Sequence, residues 1–194
     1  MRKNYFSNTL KMLLAVVFSC VFMSVWAQSE VHVEKAGTLP SLLPTSENTL
    51  KITGSINGTD VKHLRKLISE GSVNSLDLSG VRIVKGGSAY DGTNKTEDDI
   101  IGPTMFKNFT NLRSVELPAS ITAIRSQAFA ATGLKKVDIP NTVSTLEDHV
   151  FADCSFLNTV VIGRRVSRMH QGVFYNSPVK MAFVKPETPP TTSP

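Results

Sequence analysis

The sequence predicts an α/β solenoid: a short right-handed stack of coils with a parallel β-sheet along one face. A strand–helix unit sits at its amino end, and there is little other helix. Three observations carry this. "LRSVELPASITAIRSQAF" (112–129), "LKKVDIPNTVSTLEDHVF" (134–151) and "LNTVVIGRRVSRMHQGVF" (157–174) share one apolar skeleton and few polar letters. Their leading positions, Leu112, Leu134 and Leu157, continue to Val179 at spacings of 22, 23 and 22 residues. Phe106, Phe129, Phe151 and Phe174 follow at 23, 22 and 23. A unit that keeps only its apolar letters cannot bury its own apolar face, so neighbouring units must bury it by stacking.

The elements follow in chain order. Residues 1–27 read as a signal peptide: a basic head (Arg2, Lys3, Lys11), an apolar run over 10–26, and Val25-Trp26-Ala27 at the cleavage position. The run is shorter than a span of ~20 apolar residues, so no stable membrane span is expected after leader removal. "VFSC" loosely matches a lipoprotein signal, so lipidation of Cys20 is an alternative; the apolar "VFMSVW" behind it argues for cleavage after Ala27. Residues 28–48 have no clear period and read as a loosely ordered lead-in. Residues 49–72 form the amino-terminal cap. There Leu50–Ile56 alternates as a strand, Thr59 or Asp60 caps a helix, Val61, Leu64, Leu67 and Ile68 share one face, and Gly71 stops it.

The coils occupy 73–185. Val115/Leu117, Val137/Ile139, Val160/Ile162 and Ala182/Val184 form short strands, with an earlier copy in Val73, Leu76 and Leu78. Pro118 and Pro140 end two of them, and Gly163 holds the same place in the third. Ile121/Ile124, Val143/Leu146 and Val166/Met169 turn the chain back across the core, and the Phe closes each coil. Residues 85–100 interrupt the period and read as a long surface loop, a candidate binding element. The Pro/Thr-rich tail, 186–194, is too polar to cover a core end.

Composition excludes several functions. Three of the 21 basic residues and none of the 16 acidic ones lie in 1–27, leaving a net charge of +2, too small a footprint for nucleic acid. Beyond the leader only Cys154 remains, so no intramolecular disulfide forms; Cys154 recurs at a small-residue packing position, not a nucleophile's. His32, His63, His149 and His170 lack paired ligand spacing, and Asp91–Asp99 lacks the calcium-loop order, so no metal or cofactor is expected.

The outward side chains of the strands form the natural binding face. The central row is Asp77, Glu116, Asp138, Val161 and Phe183, flanked by Ser75, Ser114, Lys136, Thr159 and Met181. The ligand-binding candidates are therefore Asp77, Glu116, Lys136, Asp138, Val161, Met181 and Phe183. They make a face graded from acidic at the amino end to apolar at the far end. The plainer reading is that the acids keep the sheet soluble and the apolar residues await a covering coil. A catalytic carboxylate pair needs burial to separate its pKa values, which an open sheet does not supply, so no catalytic residue is assigned. Arg164, Arg165, Arg168 and His170 form a basic cluster that would dock an anionic glycan or simply face solvent.

The repeat L-x-x-V-x-L-P-x-x-I-x-x-I-x-x-x-A-F resembles the BspA-like class of bacterial leucine-rich repeats, and "LKITGSINGTDVKHLRKLI" resembles the amino-terminal cap of its Bacteroides members. The resemblance spans about residues 49–185. It implies a leucine-rich repeat fold and an exported, secreted or surface-attached protein. It also implies an adhesin-like role toward extracellular-matrix proteins or other cells; joined to the open sheet face, this gives a non-enzymatic scaffold for an extracellular protein or glycan as the expected function. Where the family has Ile-Gly after the turn, this chain has Ile124-Arg125, Leu146-Glu147 and Met169-His170. The rival reading is a truncated or assembly-dependent subunit that self-associates through an uncapped edge at 179–185.

Overall fold

The protein is described here from a computed structural model, covering residues 29–42 and 48–184. The expected leader with Cys20 and the expected tail, 186–194, lie outside these residues. The elements run β1 (Ser29–Val33), a 3-10 turn (Leu39–Ser41), β2 (Thr49–Ile56), α1 (Gly58–Ser69) and β3 (Ser75–Ile83). The coils follow with β4 (Ile100–Ile101), β5 (Ser114–Glu116), β6 (Ala123–Ile124), β7 (Lys136–Asp138), β8 (Thr145–Leu146), β9 (Thr159–Ile162), β10 (Arg168–Met169) and β11 (Met181–Val184).

All strand ladders are parallel. β1-β2-β3-β5 form one ladder and β7-β9-β11 another; β5 packs beside β7, so the two make one face. The spacing arithmetic holds residue by residue: Val160 stands beside Val137 and Ala182, and Leu76 beside Val115.

A second parallel sheet, β4-β6-β8-β10, runs along the opposite side. The sequence reading takes these segments for turns. Each strand is two residues long, too short to show a period of two. The inward partners Ile101, Ile124 and Leu146 are fully buried between the two sheets.

The phenylalanines form the third wall. Phe106, Phe129, Phe151 and Phe174 stack in a ladder with ring centroids 5.3, 5.4 and 5.8 Å apart and interplanar angles of 14°, 8° and 10°. The first three are buried, and burial of one such ring contributes about 1.5–3 kcal/mol. Two residues before and two after each Phe the backbone turns left-handed: Thr104, Gln127 and His149 before, Asn108, Ala131, Asp153 and Asn176 after, with φ between 51° and 68°. The twist aims alternate N–H groups at the next coil. Phe106 N donates to Ala128 O at 2.7 Å, Phe129 N to Val150 O at 2.9 Å and Phe151 N to Val173 O at 2.8 Å. These inter-coil bonds offset a left-handed strain of roughly 1–2 kcal/mol per residue.

Two expectations change at the amino end. The helix N-cap is Asn57, not Thr59 or Asp60: its side chain accepts from Thr59 N at 2.9 Å, while the Asp60 carboxylate reaches back to Asn57 N at 2.8 Å. Nor is the described part of the lead-in loose. β1 pairs with β2, Leu39 is fully buried, and the buried Asp60 also accepts from Gly37 N (2.6 Å) and Leu39 N (2.9 Å). One carboxylate thus caps the helix and fastens the segment before it. Sequence periodicity misses this because the bonds join residues more than twenty positions apart.

Candidate functional site

The sheet face is built by the register of β3, β5, β7, β9 and β11. Asp77 stands beside Glu116; Asp138 beside Val161, and Val161 beside Phe183. Lys136 stands beside Thr159, and Thr159 beside Met181. The side chains of Met181 and Phe183 lie outside what the structure describes, so the expected apolar end is seen only as backbone register. Val161 is half-buried.

Only part of the acidic row converges. Glu116 and Asp138 line one open cleft of about 390 Å³, with Asn141 and Thr142 along its rim and Pro140 in its wall. Asp77 does not reach it. Its carboxylate turns to Ser79, accepting from the backbone N at 2.9 Å and the hydroxyl at 2.6 Å. The cleft sits where β5 meets β7, between the turns that Pro118 and Pro140 begin. Asn141 accepts from Arg164 N through Oδ1 (3.1 Å), and Thr142 donates to Ala119 O (2.8 Å). The Asn141 amide N–H groups and the exposed Glu116 carboxylate face outward, suited to bind hydroxyls or cationic side chains.

The 85–100 segment is less free than a surface loop. Thr96 is buried and donates to Val84 O and Gly86 O (2.8 and 3.0 Å). Asp98 accepts from Lys85 N (2.7 Å), and Gly58 N donates to Gly86 O (3.0 Å). Gly58 is required there, because a Cβ would lie 2.1 Å from Ser88 O. Tyr90 is buried and donates to Pro103 O at 2.8 Å; burial, then the charge of Asp91, push its phenol well above the usual range. Burial of Asp91 favours its neutral form, but hydrogen bonds from Asn94, Thr104 and the Thr93 backbone outweigh that and hold its carboxyl well below the usual range. Arg65 joins α1 to this network, donating to Thr104 O (3.0 Å) and Met105 O (2.5 Å) and covering the Phe109 ring. The segment is therefore fastened to the first coil and to the start of the helix.

Cys154 occupies the packing position assigned to it: buried, its Sγ donates to Phe129 O at 3.1 Å, and burial pushes its thiol up. Arg164, Arg165, Arg168 and His170 are all exposed, and His170 Nδ1 lies 3.8 Å from Asp148 Oδ1.

One charged row escapes the sequence reading. Asn158 N donates to Lys135 O, and Lys180 N to Asn158 O, both at 3.1 Å. With Arg113, the matching residue before β5, this makes a column at the leading ends of the strands. The column is basic and exposed, while the carboxylates of Glu116 and Asp138 lie at the trailing ends. The charge gradient thus runs across the strands as well as along the stack. The same 22- and 23-residue spacing, applied one position before each strand, would have found it.

Residues 94–188 match the BspA type leucine rich repeat region, in six copies. Among solved structures, a leucine-rich repeat protein from Bacteroides ovatus is similar at 16% identity and TM-score 0.43, over 78% of this chain and 37% of that one. A leucine rich cell surface protein from Faecalibacterium prausnitzii is similar at 16% identity and TM-score 0.27, over 71% of this chain and 55% of that one. The chain therefore spans about a third to a half of the length of these proteins. No curated protein matches it.

Proposed function

Because residues 94–188 are a BspA-type leucine-rich repeat region, we propose that this chain is an exported, adhesin-like scaffold that binds an extracellular protein or glycan through its sheet face. The observation that carries the reading is the convergence of Glu116 and Asp138, from successive coils, on one open cleft with Asn141 and Thr142. Rigid strands hold both carboxylates. No loop must order on binding, which lowers the cost of association. We read the role as non-enzymatic, because an open cleft on a solvated sheet does not exclude water from a reacting group. Among the described residues no helix is long and apolar enough to cross a membrane.

The test is binding of the purified protein to immobilised matrix proteins and glycans, beside a Glu116→Gln/Asp138→Asn protein of equal thermal midpoint. Saturable binding that falls about tenfold in the variant, some 1.4 kcal/mol, supports the cleft. Binding of equal strength in both proteins would remove the cleft from the reading.

A second reading has its own observation. Met169 sits in the inward column of β4-β6-β8-β10, where Ile124 and Leu146 are fully buried, yet it is 47% exposed. An apolar side chain left exposed in this column favours a subunit that associates through the coil carrying it, including residues 179–185. Sedimentation over a concentration series decides: a dimer that Met169→Lys dissolves supports it, and a monomer at every concentration removes it.

A further inference from the structure

We propose that the leading edge of the sheet, the column Arg113, Lys135, Asn158 and Lys180 together with Lys136, is a docking ridge for a linear sulfated polysaccharide. The proposal concerns a different edge of the sheet from the Glu116/Asp138 cleft and does not rest on it.

The first argument is alignment. Lys135, Asn158 and Lys180 are joined through successive backbone hydrogen bonds, so they stack along the solenoid axis. Neighbouring strands are about 4.8 Å apart, which spreads Arg113 to Lys180 over roughly 14 Å in a straight line. A chain carrying regularly spaced anions can follow such a line without bending. The second argument is availability. Lys135, Lys136 and Lys180 are exposed, and no ion pair joins them to a carboxylate among the described residues. Arg113 is held over the Phe156 ring at 5.0 Å, which orients its guanidinium without neutralising it. Placing these like charges in one column costs Coulomb energy that an anionic ligand would reverse.

The third argument selects the ligand's width. Asp138 follows Lys136 by two residues along β7, about 7 Å away. A flat anionic membrane or a nucleic-acid duplex laid on the ridge would also cover the carboxylates of Glu116 and Asp138. A single narrow polyanion would not. Single-stranded nucleic acid is narrow too, but it relies on several aromatic platforms for its bases. Among the described residues one aromatic ring, Phe156, lies beside the ridge, and Arg113 occupies one of its faces. The Arg164, Arg165 and Arg168 cluster differs because it belongs to one coil and has no counterpart in the coils before it.

The experiment measures binding of the full protein to immobilised heparin over a salt series. It compares wild type with a Lys135→Ser/Lys136→Ser/Lys180→Ser protein and with an Arg164→Ser/Arg165→Ser/Arg168→Ser protein that loses the same charge elsewhere. Circular dichroism melts establish that all three are folded. Wild type binds with an affinity that falls steeply with salt, the ridge variant binds at least about tenfold more weakly with a shallower salt slope, and the cluster variant stays within about threefold of wild type. The Glu116→Gln/Asp138→Asn protein retains heparin binding, which keeps this result separate from any failure of the cleft. Three results would overturn the proposal: no heparin binding by wild type, equal losses in the two triple variants, or tighter binding to an oligo-dT strand or to phosphatidylserine vesicles than to heparin.

Discussion

The amino-terminal coil and the last coil are written in the same apolar letters, yet they are held differently. At the amino end, β1, β2 and α1 cover the first coil, and buried polar groups fasten the joints. Asp60 gathers three backbone N–H groups, Tyr90 donates to Pro103 O, and the Asn111 amide donates to Ile68 O at the end of the helix. In the last coil Phe174, Val166 and Val179 are only partly buried, and Met169 and Tyr175 are exposed at 47% and 64%. The difference teaches that in a stacked fold a residue's burial belongs to its neighbouring coil, not to its own letter.

The widest gap between the two regions should appear in the Phe ladder. Phe151→Ala empties a closed site between two stacked rings and should cost about 3–5 kcal/mol. Phe174→Ala removes a half-covered ring from the same column and should cost less than about 2 kcal/mol. Equal shifts of the urea midpoint in the two variants would break the comparison, because the open coil would then be as tightly packed as the closed one.

Next in size is the polar fastening. Asp60→Ala leaves three backbone donors without their acceptor and should destabilise by about 3 kcal/mol. It should also release β1, so that the amides paired along β1 and β2 exchange with solvent faster than those of β7 and β9. Hydrogen exchange measures this, and uniform acceleration across all coils would show that the amino end is not a separate unit.

The smallest effect is pH-dependent. The folded-state pKa of Asp91 is depressed, so its stabilisation is fully present above the unfolded value of about 3.9 and is lost as pH falls through the folded value. Wild type should begin to lose this contribution as pH falls through about 4 and go on losing it toward the acid limit. Asp91→Asn should be less stable at neutral pH and lose less over that window, so the two stability curves converge in acid. Curves that stay parallel down to the acid limit would show that Asp91 does not fasten the 85–100 segment.

The repeat, the strand columns and the Phe ladder were legible in the sequence because each is local arithmetic. A period of 22 or 23 residues places like letters side by side once one coil has been drawn. The strand–helix cap was legible too, from alternation and helical spacing, although its N-cap was misplaced by two or three residues. The leading-edge column was readable in principle from the same spacing, since Arg113, Lys135, Asn158 and Lys180 keep the register of the strands that follow them. What the letters did not disclose depends on contacts between residues far apart or on backbone geometry without a residue preference. The second sheet has strands of two residues. The left-handed corners mix Thr, Gln and Ala with Asn, Asp and His, so the residues that favour a positive φ do not mark every corner. The selection of Glu116 and Asp138 from the acidic row, with Asp77 turned back to Ser79, follows from where the chain turns after each strand. Apolar periodicity settles which residues share a core, because burial is repeated in every coil. The packing of one coil on the next settles which polar groups meet, because those pairings occur once.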